Sequence, residues 1–263
     1  MARIFITKHP HVEPGYGRAK VGSRVTIPWN TTTKHRRKFI KRNGQYIENG
    51  VLKEGEIYFW GEYEPQTECT IVNVCAYKAI HDTLYSVRGT KVPSKALNTD
   101  PYVFGDHFKH ICCGMGDGKT RRKFKPDDVV LFGRIEEDVF THSYYLVLDT
   151  VFVVKEEVRI NYSLNSTQYY KASIEPMSKK YPVFYRGENY VSGKPYYSYV
   201  PCRLDYTPRC KPRLDLASLG FKVNKRGHEP VAKAITFTHN IWNMIQNSVI
   251  DQGWLIGTHI DKI

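Results

Sequence analysis

Apolar and aromatic residues fall in short runs separated by glycine, proline and charge, and these runs carry the alternation or unbroken apolarity of strands rather than the spacing of helices. Residues 3–7 and 24–28 predict the first two strands, with a glycine-bearing loop between them. Residues 56–60, EIYFW, predict another, dense in the β-branched and aromatic side chains that suit a pleated surface. Gly61 breaks it, and the following loop carries Glu62, Glu64 and the strand-stopping Pro65 before a further strand over 69–74. Residues 76–99 read as irregular. A short aromatic segment then breaks at Gly105, with Asp106 and His107 at the break.

The strongest pattern lies at 125–154. A turn, KPDD, feeds the apolar run 129–133, and residues 144–154, YYLVLDTVFVV, supply its partner. An unbroken apolar run of that length predicts a central strand covered on both faces. Asp149 in its midst must be paired, with an arginine or backbone amides, or functional. Residues 183–187 and 196–202 predict further strands. Helical spacing takes over only at 230–252, where Val231, Ile235, Ile241, Trp242, Ile245 and Val249 lie largely on one face and Gly253 follows. The pattern predicts an α+β, β-rich fold with a central mixed sheet and the C-terminal helix packed on it. A chain of 263 residues buries one good core and is short for two, so a single domain over 1–263 is expected.

Charge narrows the function. Lysine and arginine number 39 against 26 acidic residues, a net +13 that repels itself and is most simply explained by a polyanionic partner, nucleic acid first, with double-stranded DNA as the expected form, and an anionic membrane second. The alternative is a basic surface with no functional role. Two basic blocks are the expected contacts: Lys34, His35, Arg36, Arg37 and Lys38 with Lys41 and Arg42, and Lys119, Arg121, Arg122 and Lys123. Such blocks grip phosphates and position a duplex without reading it; the alternative is a solvated turn. No run approaches the ~20 apolar residues of a membrane span, and the N-terminal apolar run is too short for a signal peptide. The sequence therefore predicts a cytoplasmic protein with no membrane partner and with its cysteines reduced.

Serine elbows, phosphate-binding glycine loops, dinucleotide fingerprints and the HExxH zinc motif are all missing, and no cofactor is expected. His107, His110, Cys112 and Cys113 form an HxxHxCC cluster, which needs a second pair such as Cys202 and Cys210 to hold zinc; buried free thiols are the commoner case, and no metal is expected. A carboxylate mechanism remains, with Glu62, Glu64, Asp106 and Asp149 as candidates. Acids among aromatics in a basic protein fit cleavage of an N-glycosidic bond, where a carboxylate orients water or steadies a cationic sugar. They also fit metal-dependent phosphodiester cleavage. A flipped base needs a stacking pocket, for which Trp60, Tyr63, Asn98, Tyr102, Phe104 and His107 are the candidates.

Residues 125–154 resemble the hairpin core of PUA-like domains, the group that includes the EVE and ASCH modules. That resemblance implies a small β-barrel over about 100–157, elaborated on both sides, that binds RNA or recognises modified bases flipped out of a helix. The segments FWGEYEPQ, NTDPYVFGDHF, LDTVFVV and YSYVPC together resemble an uncharacterised bacterial family of the kind associated with nucleotide modification and phage defence. Residues and resemblance together predict a DNA-binding protein acting on a flipped-out, modified base by glycosylase-like excision. A non-catalytic reader of modified bases is the alternative, and a metal-dependent nuclease the third.

Overall fold

The structure, a computed structural model, describes residues 1–8, 38–62, 99–111, 123–138, 140–161, 164, 167–174, 182–205, 211–226 and 229–262. The strands expected at 24–28 and 69–74 lie outside these residues. Among the described residues the chain forms thirteen strands in three sheets, with one α-helix of thirteen residues toward the C-terminal end.

The hairpin of β5 (Val129–Glu137) and β6 (Tyr144–Arg159) forms where the two apolar runs predict it. Strand β1 (Arg3–Lys8) runs parallel to β5, and β12 (Ile235–Thr236) closes antiparallel on β1. The parallel entry is clamped at the KPDD turn: the buried carboxylate of Asp128 accepts from the Lys125 amide and from both the backbone and the guanidinium of Arg3. Beyond β5, β6 pairs along its second half with β7 (Val183–Gly187), which pairs in turn with β4 (Lys109–His110); β9 (Arg213–Asp215) pairs with the first half of β6. The sheet is mixed, and both faces are covered. Phe5, Val130, Phe132 and Phe152 pack on one face with Phe59, Tyr102 and Phe104. Ile4, Ile6, Val129, Leu131, Val151 and Val153 pack on the other with Trp242, Ile245 and Val249.

A second sheet closes into a four-stranded barrel of β2 (Lys38–Glu48), β3 (Val51–Gly61), β8 (Val200–Arg203) and β13 (Leu255–Ile260). Asn49 and Gly50, with φ of 51° and 77°, make the tight two-residue turn between β2 and β3 that matches the strand twist. The hairpin that resembles a PUA-like core thus lies in the mixed sheet, and the barrel is built from other strands. β10 (Val223–Arg226) and β11 (Glu229–Ala232) form a separate ribbon.

Two predicted elements are corrected. The C-terminal helix, α1 (His239–Asp251), begins nine residues later than the 230 expected, and residues 229–232 and 235–236 are strands instead. The run ITFT at 235–238 is β-branched and aromatic, Thr236 pairs with Arg3, and Thr238 caps the helix by accepting from the Ile241 amide. Trp242, Ile245 and Val249 are the buried face, whereas Val231 is exposed. The strand expected at 196–202 is confined to β8, because the rings of Tyr196, Tyr197 and Tyr199 gather edge-on around Trp242, with centroids 5.5 to 5.8 Å from it.

Candidate functional site

Asp149 is aimed by a bulge. Phe132 pairs with Thr150 and Gly133 with Leu148, so Asp149 is the extra residue of β6 and has no opposite number on β5. A glycine is required at 133, since a Cβ there would overlap the Val147 carbonyl. Across the bulge, the Leu148 amide donates to the Pro212 carbonyl and holds the incoming 211–215 segment against β6. The ammonium of Lys211 bonds to the Asp149 carboxylate, and the two side chains are 4% and 3% exposed. The sequence predicts an arginine or backbone amides as the partner of Asp149; the structure supplies a lysine. The Lys211 ammonium also lies 5.4 Å from the centre of the Trp60 indole, near the end of β3. Burial pushes the Lys211 ammonium well below the usual lysine range. Glu62 follows β3 immediately and is 4% exposed. The junction of sheet and barrel therefore holds an acid–amine pair against an indole, and Glu62 is a second buried acid two residues beyond that indole.

The other sequence candidates are distributed differently. Asp106 is 74% exposed and bonds to Lys262 at 3.2 Å, a hydrogen bond that holds its carboxyl below the usual range. That is the environment of a surface ion pair, not of a proton reservoir. Tyr102 and Phe104 are core residues: their rings meet at 5.4 Å, Tyr102 packs on Tyr169 at 5.2 Å, and Phe104 lies 6.1 Å from Phe59. Trp60 belongs to the cluster on the opposite side of the sheet, so these rings do not line one pocket. His107 is half-buried, with Nδ1 3.1 Å from the Gly187 carbonyl, and burial lowers its pKa.

His110 is fully buried. Its Nδ1 lies 3.0 Å from both carboxylate oxygens of Asp100, which also accepts the Ile111 amide, and its ring abuts the Phe132 ring at 4.9 Å. Asp100 thus takes Nδ1 of His110, and Nε2 is the ring nitrogen left for any other ligand. Among the described residues no three His, Cys, Asp or Glu side chains converge as metal ligands. Cys202 is a buried free thiol whose pKa burial raises.

Of the basic residues, Lys41 pairs with Glu56 on β3, Arg42 donates to the Lys262 carbonyl, and Lys123 is exposed. Lys38 opens β2. Lys34, His35, Arg36, Arg37, Lys119, Arg121 and Arg122 lie outside the described residues, as do Tyr63, Glu64, Asn98, Cys112, Cys113 and Cys210. Among the described residues no helix is long and apolar enough to cross a membrane. Compared with known proteins, the chain matches no family model, no curated protein and no solved structure.

Proposed function

We propose that the protein binds double-stranded DNA and acts on a modified base drawn out of the helix, cleaving its N-glycosidic bond by carboxylate chemistry in the phage-defence setting that the sequence resemblance implies. The buried Asp149–Lys211 pair against Trp60 carries this reading. The reading requires the pair to open to the extruded nucleotide; a carboxylate released in a water-poor site then steadies the cationic sugar that forms as the glycosidic bond breaks, more strongly than it would in water. Glu62 is the acid assigned to orient the attacking water. The net charge of +13 supports the DNA partner. A non-catalytic reader of modified bases is the second reading, favoured by the closed state of the pair: Asp149 already has a counter-ion, and both side chains are nearly inaccessible.

Incubating the protein with differently modified duplexes and analysing the small-molecule fraction by mass spectrometry tests the reading. A glycosylase releases a free base in EDTA and leaves an alkali-labile abasic site, and Glu62→Gln reduces release about a hundredfold to a thousandfold with little change in DNA affinity. Direct nicking that stops in EDTA identifies a nuclease instead. Binding that depends on the modification, with nothing released, identifies the reader.

A further inference from the structure

Lys109 opens β4 at the edge of the mixed sheet, opposite Arg186 on β7. Its ammonium lies 5.3 Å from the centres of both the Tyr102 and the Tyr169 rings and donates to the His107 carbonyl at 2.8 Å. Two ring faces and one carbonyl leave the positive charge only partly compensated. Among the described residues no carboxylate stands at ion-pair distance from it. Asp106 attracts it from further off but is bonded to Lys262 at 3.2 Å, and Glu156 is taken by Arg186 at 2.7 Å. The other charges that bear on Lys109, those of Arg186 and Lys262, are positive. The same surroundings act on His107, which Lys155, Arg186 and Lys109 all disfavour in its charged form. Lys211 makes the contrast: it is more deeply buried and has its own carboxylate. A part-buried cation that is walled by rings and, among the described residues, has no carboxylate at ion-pair distance is stabilised further by an anion supplied from outside.

We propose that Lys109 is the innermost ligand of a binding site for a phosphate group, with the Tyr102 and Tyr169 rings as its wall and the Arg186–Glu156 and Lys262–Asp106 pairs at its rim. The site is separate from Asp149 and Glu62 and does not depend on base excision. Its phosphate comes either from a nucleic-acid backbone or from a free phosphate or nucleotide. Burial, with Arg186 and Lys262 adding to it against the pull of Asp106, brings the Lys109 pKa down to about 8. Phosphate binding therefore weakens as pH rises from about 8 to about 10, where the amine loses its proton while phosphate keeps its charge.

Calorimetric titration of the full chain with inorganic phosphate, a nucleoside 5′-monophosphate and a short unmodified DNA duplex tests the site. Lys109→Met should weaken phosphate binding by about tenfold or more while Lys109→Arg retains most of it, as loss of a charge-assisted hydrogen bond requires. A parallel loss of duplex affinity in Lys109→Met assigns the phosphate to a backbone, even where free phosphate binds too weakly to register. Loss of phosphate and nucleotide binding with unchanged duplex affinity assigns it to a free ligand. Unchanged affinity for all three probes in Lys109→Met overturns the proposal. Should Lys109→Met fail to fold, acylation of wild-type Lys109 is mapped by mass spectrometry with and without phosphate and duplex; protection by neither overturns it equally.

Discussion

At the scale of single residues, the Asp149–Lys211 pair combines an energetic liability with chemical potential. Removing one partner strands the other: Asp149→Asn should cost about 3–5 kcal/mol by leaving the Lys211 ammonium buried without its carboxylate. Adding Lys211→Met should restore most of that loss, since two uncharged side chains of similar volume need no counter-ion. Urea unfolding of the two single variants and the double variant measures the coupling, and additive losses would show that the two groups do not act as a pair. Asp149 is legible in the sequence as a lone charge in an apolar strand. Its partner is not, because Lys211 lies 62 residues further on in a polar stretch where a lysine reads as solvated. Aromatic composition likewise marks Trp60, Tyr102 and Phe104 but does not separate a stacking pocket from a packed core, since both are made of the same rings. Only the fold assigns these three to two different clusters.

At the scale of elements, the bulge in β6 determines where Asp149 points, and Gly133 permits the bulge. Gly133→Ala should destabilise the protein by about 1–3 kcal/mol, because the added methyl meets the Val147 carbonyl and the strands must part. Gly55→Ala, whose Cβ would meet nothing closer than the Tyr46 ring at 3.8 Å, should be nearly neutral. Thermal melting of the two variants compares them, and equal melting temperatures would mean that the strands relax around the methyl. The β5–β6 hairpin and β7 are readable because their apolar runs are long and bounded by turn residues. The helix reads too long because Val231 and Ile235 fall on its period by chance, while Pro230, Ile235 and Thr236 belong to strands. The parallel pairing of β1 with β5 is not readable at all: Ile4 meets Val129 across a long intervening chain, and no local signal encodes such a contact.

At the scale of the whole molecule, the excess of positive charge needs an outlet. Lys41 and Arg42 are engaged with Glu56 and the Lys262 carbonyl, so the greater part of the proposed DNA contact falls to the blocks at 34–38 and 119–123. Reversing Arg36 and Arg37, or Arg121 and Arg122, to glutamate should weaken duplex binding and flatten its salt dependence by about 0.9 in logarithmic slope for each phosphate no longer gripped, with the fold intact. Fluorescence anisotropy across a salt series measures it; unchanged affinity and slope would make these blocks ordinary solvated surface. The barrel constrains the molecule in another way. Strand β13 seals it by pairing with both β2 and β8, and β13 follows every other described strand in the chain. During ribosomal synthesis, until residues 255–260 emerge, β2 and β8 are open edges able to pair with a neighbouring nascent chain. The barrel is therefore complete only once its sealing strand is available, and until then the free edges of β2 and β8 are where pairing with another copy would begin.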